Sequence, residues 1–294
     1  MELVAAAGLV PTSARSLRRL KLIQPRSIEA TLAALRDADD PVLLAGGSDL
    51  VARFNEGLDP QELVTLAQVA ELQTITADAQ GLRIGAMVTH ADGSGHAALR
   101  RQAPGFAAAW GGIANPRVRF TATLGGNIVA QRVRYEAAVL LAAAQARLEW
   151  ATPQGPRSIS PQALWSDDSL QRSLLTAISI DTADLAAYFY ERSMRPLLTF
   201  AVGLRWRGDG LHLCCAVATE YLRPHLLELT LPHSDLAQVA REAREVATAA
   251  FTRLPESFAD PSLTAVYARS AGAALLARRL QGLKSSPTEG AQHG

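Results

Sequence analysis

The chain has 294 residues, 29 basic and 28 acidic side chains, a formal net charge of +1 and 48% apolar residues. A near balance of charge without long lysine or arginine runs points away from nucleic acid, and the apolar fraction suffices for two or three units with real cores. The two cysteines are adjacent (Cys214, Cys215) and the six histidines form no HxH or HxxxH pair, which argues against an iron–sulfur or zinc site held by this chain alone.

No apolar run approaches the roughly 20 residues that span a bilayer. The opening MELVAAAGLVPTSARSLRRLK has an acidic second residue and places its basic residues after the apolar patch. That is the reverse of a secretory signal, so a cytoplasmic location is expected.

Residues 1–20 read as an extension. A first α/β lobe is expected over 21–70. There PRSIEATLAALRDADD puts Ile28, Leu32 and Leu35 on one helical face, with Ser27 as N-cap. PVLLA reads as a buried strand, SDLVARFNEG as a helix starting at Ser48 and stopped by Gly57, and LVTL (63–66) as a strand. This β–α–β rhythm defines the lobe.

A second lobe is expected over 71–184. GLRIGAMVTH (81–90) is a strand running into a polar turn, and FAAAWGG (106–112) a tightly packed helix. IANPRVRFTATLGGNI reads as a loop with turn residues, and YEAAVLLAAAQA (135–146), apolar nearly all round, as a buried helix. LEWAT and LLTAISI continue a sheet.

A C-terminal α+β domain is expected over 185–284. In FAVGLRWRGDGLHLCCAVA, Phe200, Val202, Leu204 and Trp206 fall on one face and Leu211, Leu213, Cys215 and Val217 on one face of the return strand, joined by a GDG turn. The four tryptophans read as core or interface. SDLAQVAREAREVATAAF and SLTAVYARSAGAALLARRL read as two amphipathic helices, and residues 285–294 as a disordered tail.

The two glycine pairs, in PVLLAGGSDLV (41–51) and TLGGNIV (123–129), require a common cause. Glycine before a helix lets backbone N–H groups converge on an anion at the positive end of the helix dipole. Two such bends facing each other suit a dinucleotide with its diphosphate. Neither GxGxxG nor GxxxxGK[ST] follows the first strand, so the fold expected for such a ligand is not a Rossmann fold.

LLAGGSDLVARFNEGL, LRIGAMVTHAD, IANPRVRFTATLGGNI and YARSAGAALLARRL resemble, in order and spacing over about residues 20–282, the FAD-binding medium subunit of the molybdenum hydroxylases, the family of carbon monoxide and xanthine dehydrogenases. The resemblance implies an α+β chain in which two small α/β lobes form a PCMH-type FAD-binding fold, followed by an antiparallel three-stranded sheet with a helical bundle. It implies FAD on this chain, a molybdenum cofactor on a large partner subunit and iron–sulfur clusters on a small one. Electrons would pass from the clusters through FAD to quinone or NAD.

Carried over by position, Ala45, Gly46, Gly47, Ser48, Asp49 and Leu50 would embrace the diphosphate and ribityl region. Thr123, Gly125, Gly126 and Asn127 would form the facing loop, with Ala86 and Thr89 nearby. Glu136 takes the place of the family's usual aspartate, and Arg192 falls where relatives carry a basic residue close to the flavin. No side chain is assigned to bond-making catalysis. His90, beside a helix start, reads as structural, with the flavin edge as its alternative. Arg132 and Arg134 stand where relatives carry small or acidic residues. That altered QRVRYE segment motivates a second reading, a structural or assembly subunit that keeps the fold with weak or no FAD binding.

Overall fold

The computed structural model describes residues 20–283, apart from 193–196, 209, 220 and 233–234. The expected extension (all but its last residue), the centre of the GDG turn and the expected tail lie outside the described residues.

The chain opens with β1 (Lys21–Ile23), α1 (Ile28–Asp37), β2 (Val42–Leu44), α2 (Ser48–Asn55) and β3 (Glu62–Thr65). The three strands form a parallel sheet in the order β1-β3-β2, and each helix is the crossover that parallel pairing requires. Ser27 caps α1 by accepting from the Ala30 N–H, as its position before the apolar stripe predicts. The chain leaves α2 through Gly57 at φ 106°, a left-handed conformation that glycine adopts without a Cβ penalty.

Next come β4 (Ile75–Ala77), β5 (Gly81–Gly85), α3 (His90–Gly95), α4 (Ala97–Gln102), α5 (Pro104–Gly112), α6 (Pro116–Arg119), α7 (Leu124–Val129) and α8 (Ala137–Ala143). Strands β6 (Arg147–Thr152), β7 (Gly155–Ile159) and β8 (Leu174–Asp181) follow. The five strands form an antiparallel sheet in the order β4-β5-β8-β6-β7. Residues 113–129 are not a plain loop. They hold two short helices, because Asn115 caps the Val118 N–H ahead of Pro116 and Thr123 caps the Gly126 N–H. Every residue of α8 is buried, as its all-round apolar sequence predicts.

The C-terminal sheet has four strands where three were expected: β9 (Leu185–Arg192), β10 (Thr199–Arg207), β11 (Gly210–Ala218) and β12 (His225–Leu231), in the order β12-β11-β10-β9. The outer two, β9 and β12, are only partly buried, so apolar alternation is weaker there than in the central hairpin. The helical part is α9 (Leu236–Arg241), α10 (Ala243–Thr252) and α11 (Ala265–Gln281). The first of the two expected helices is broken in two at Glu242, whose φ −94° and ψ 15° leave the helical region.

One face of this sheet, with Phe200, Val202, Leu204, Leu213, Cys215 and Val217, packs on α9–α11. Phe200 meets Phe251 edge to face at 5.7 Å, and burial of each ring contributes about 2–3 kcal/mol. Trp206, expected on the same face, is 39% exposed. It follows the Leu204/Arg205 register shift against β9. The other face, with Ala201 and Ala216, joins the core around α8. A Cβ on Gly203 would stand 2.5 Å from the Ala143 carbonyl oxygen, so the helix rests directly on the strand. Arg205, 2% exposed, pairs with Asp184 and donates to the carbonyls of Ala144 (2.7 Å) and Asp181 (2.9 Å). It thereby ties the end of α8 to the sheets. Among the described residues no helix is long and apolar enough to cross a membrane.

Candidate functional site: a cavity between two glycine bends

The first glycine pair joins β2 to α2. Gly47, the residue before the helix, has φ 78°, which an L side chain rarely adopts. A Cβ on Gly46 would overlap the Thr121 carbonyl oxygen, so the second bend's own approach requires that glycine. The first turn bond of helix α2 runs from the Val51 N–H to the Gly47 carbonyl, at 2.9 Å. Ahead of it, the backbone N–H groups of Gly46, Gly47, Ser48, Asp49 and Leu50 have no protein acceptor among the described residues. Five donors and the positive end of a helix therefore stand together.

The second bend is built differently. Leu124 N–H donates to the Val88 carbonyl (3.0 Å), Gly125 to Ala86 (2.9 Å), Gly126 to Thr123 Oγ1 (3.0 Å) and Asn127 to the Thr123 carbonyl (2.9 Å). Its N–H groups are engaged within the protein. A Cβ on Gly125 would lie 2.6 Å from Ala86 Cβ, and one on Gly126 would lie 3.4 Å from Ala45 Cβ. Here the missing side chains let the two bends and the turn after β5 pack together. Thr89 contributes to that turn: it caps the Asp92 N–H and bridges to Thr123.

Between the bends lies a cavity of about 600 Å³, within the range of small-molecule sites. Twelve of the fourteen expected site residues line it: Ala45 to Leu50, Ala86, Thr123, Gly125, Gly126, Asn127 and Glu136. Thr89 and Arg192 lie outside that lining. Arg192 instead donates to Glu136 Oε1 at 3.0 Å, and Tyr190 hydrogen-bonds to the same oxygen. Burial, then the Glu136 charge, raises the Tyr190 hydroxyl well above the ordinary phenol value, so Tyr190 is the proton donor of that pair.

The altered segment after the second bend is complementary to the first. Arg132 donates to Asp49 Oδ1 at 3.0 Å and to Glu56 at 3.2 Å, and the Tyr135 hydroxyl donates to Asp49 Oδ1 at 2.9 Å. Burial, with the Asp49 hydrogen bond next, pushes the Tyr135 hydroxyl up to about 12. These contacts fix the carboxylate at the start of α2, where the helix dipole also favours it.

His90 is fully buried and accepts a hydrogen bond at Nδ1 from Trp110 Nε1, at 2.7 Å. Burial, and secondarily the Arg119 charge, pushes its pKa down to about 4. The imidazole is neutral at ordinary pH. It is held within the protein by Trp110 and is not part of the cavity lining.

A model of the FAD binding domain in molybdopterin dehydrogenase matches residues 18–180, more than half of the chain. The chain belongs to this family. The FAD-subunit of nicotinate dehydrogenase from Eubacterium barkeri is 22% identical over 67% of this chain and 72% of that protein. The xanthine dehydrogenase FAD-binding subunit from Escherichia coli O157:H7 is 34% identical over 44% of this chain and 47% of that protein. The alignments thus span from about half to 72% of these relatives. A chain of the carbon monoxide dehydrogenase from Hydrogenophaga pseudoflava shares the fold, with a TM-score of 0.72 at 22% identity, over 90% of this chain and 96% of that one. The resemblance drawn from the sequence and the α+β fold class are borne out.

Several lining residues of this FAD-domain cavity carried no sequence signal. Arg53 projects from α2, and Met87 and Leu174 come from β5's turn and from β8. Trp150 of β6, expected as core or interface, is 5% exposed and lines the cavity, and its Nε1 has no partner among the described residues. Strand alternation says only that such a residue points inward, not that the space it meets is open.

Proposed function

We propose that this chain binds FAD between its two glycine bends and serves as the electron-transfer subunit of a molybdenum-dependent dehydrogenase complex. The observation that carries the reading is the row of five unpaired N–H groups, Gly46 to Leu50, at the head of α2 on the cavity wall. Such a row is a site for a diphosphate. The residues fit the group: two backbone bends approach only because glycines stand there, and the space left between them is of cofactor size.

On this reading Gly46, Gly47 and Ser48 hold the diphosphate through backbone N–H groups, with the Ser48 hydroxyl as a further donor. Thr123, Gly125 and Gly126 shape the facing wall, and Ala86 supports it from behind. Arg132 and Tyr135 hold the Asp49 carboxylate, which offsets its repulsion of the incoming anion. Arg192 and Tyr190 hold Glu136 in the wall, and Thr89 keeps the turn beneath it in place. Bound FAD supplies exchange of single electrons on one side and of pairs on the other. Iron–sulfur clusters on a small partner subunit would deliver electrons, a large partner would carry the molybdenum cofactor, and quinone or NAD would accept. The names of the nicotinate and xanthine dehydrogenase subunits support this division. The reading without FAD rested on the QRVRYE segment, whose Arg132 pairs with Asp49 and Glu56 of α2 instead of standing in the cavity lining, so that reading is not adopted.

The test is to purify the full chain, strip any flavin, and titrate FAD. Saturable uptake with quenched flavin fluorescence is the expected result, and no uptake by folded protein overturns the proposal. Co-purification with two partners, one holding molybdopterin and one rich in cysteine, tests the complex.

A further inference from the structure

Helices α10 and α11 leave a groove between them on their solvent side. They run antiparallel: Phe251 packs where a Cβ on Gly272 would stand, and Arg269 donates to the Leu254 carbonyl at 2.8 Å. The groove encloses about 610 Å³ and follows α11 from Val266 to Gln281, a run of about 22 Å at the helical rise. Ala273 (half-buried) and Ala277 (buried) form its floor. On the α10 side, Thr248 and Thr252 donate their hydroxyls back to the Arg244 and Thr248 carbonyls, at 2.8 and 2.7 Å. That wall therefore offers methyl groups rather than free donors. Two helices with small side chains along their shared seam let a third helix approach closely.

The two ends of the groove differ in chemistry. Where α11 begins, the large apolar side chains of Val266 and Tyr267 are both exposed, which marks a contact surface. At the other end Arg278 and Arg279 share the single carboxylate of Glu191, at 3.0 and 3.7 Å. Arg244, also in the lining, has no side-chain partner among the described residues. Two positive charges there are uncompensated, whereas Arg269 is balanced by Glu256. A second copy of the chain supplies no carboxylate to this end. Paired groove to groove, it sets the arginines against each other or against Val266 and Tyr267.

We infer that this groove docks a helix of a partner subunit, with small or apolar residues on its buried face and carboxylates at the end that meets Arg244 and Arg278. This rests on the reading of the chain as one subunit of a complex. It is independent of the flavin site, because no residue lines both the groove and the cavity between the glycine bends.

The first experiment labels Ala274→Cys, an exposed groove position, with a maleimide. Both native cysteines are buried, so the new thiol reports alone. Labelling is expected to be slower by about tenfold or more in the complex with which the chain co-purifies than in the isolated chain. An unchanged rate overturns the docking and leaves the complex standing. The second carries a photoreactive cross-linker on the same thiol. A link to an aspartate- or glutamate-bearing helical segment of another subunit is expected. A link to a second copy, to residues 284–294 of the same chain, or to a segment without carboxylates overturns the inference. The third measures assembly of Arg244→Glu, whose first-turn position favours a carboxylate. Association is expected to weaken about threefold to tenfold at low salt and less at high salt, with melting temperature and FAD affinity unchanged. Wild-type assembly at low salt counts against the charge match. If the chain purifies alone, no subunit covers the groove and the inference falls, while FAD uptake by that chain still decides the flavin reading.

Discussion

Arg132 Nε lies 3.0 Å from Asp49 Oδ1, joining side chains 83 residues apart across the mouth of the two bends. The pair links the segment after the second bend to the start of α2. Arg132 is 40% exposed, so its worth to folding is small. Its effect belongs to the anion site, where it screens a carboxylate.

Arg132→Gln is accordingly expected to weaken FAD binding about threefold to tenfold at low salt, and less at high salt. Adding Asn at position 49 (Asp49→Asn) to that variant should restore much of the affinity, because the unscreened charge is then gone. Titrations of both variants across a salt series check this. Equal affinity of Arg132→Gln and wild type at low salt would count against it.

Gly46 has no room for a methyl group beside the Thr121 carbonyl. Gly46→Ala is expected to lower stability by about 1–3 kcal/mol and to abolish FAD uptake by prising the bends apart. Gly95→Ala, where nothing lies within 4 Å of the added Cβ, is the control. Helix propensity there favours alanine by about 0.5–1 kcal/mol. Thermal melts and flavin content after purification separate the two.

His90 gives a pH dependence of defined sign. In the folded chain it takes up a proton only near pH 4, whereas the unfolded chain does so near 6.5. Between those values the unfolded state binds more protons, so stability falls as pH falls. The contribution is fully present above about pH 6.5 and lost by about pH 4, for a total of about 3 kcal/mol. Denaturant unfolding of wild type and His90→Gln over this window is the check. The variant should lack this component of the slope.

Arg205 is the buried tie between α8 and the sheets. Arg205→Leu removes donors to two carbonyls and is expected to cost about 2–4 kcal/mol. Flavin affinity of the remaining folded protein should be unchanged, since Arg205 is no part of the cavity wall. Urea unfolding followed by FAD titration reads both quantities. A loss of affinity without loss of stability would contradict the assignment.

Strong local signals were legible in the sequence. Ser27, Gly57 and the all-round apolar α8 stand where capping, chirality and period demand, and the AGGSDL and TLGGN bends do line one cavity. The short helices α6 and α7 were not legible as helices. Runs of four and six residues are too brief for a hydrophobic period, and only their caps reveal them. The fourth strand of the last sheet escaped because edge strands bury too little of either face to alternate clearly.

By itself the sequence determined the elements with strong periods, the family, and the two places where a side chain could not be tolerated, because these depend on residues close together along the chain. Only the tertiary structure decided what each glycine makes room for, which bend keeps its N–H groups open, that Trp150 belongs to the cavity wall and that Arg132 pairs with Asp49 of that wall. Those are matters of contact between residues 37 to 86 positions apart, separations that no local pattern encodes.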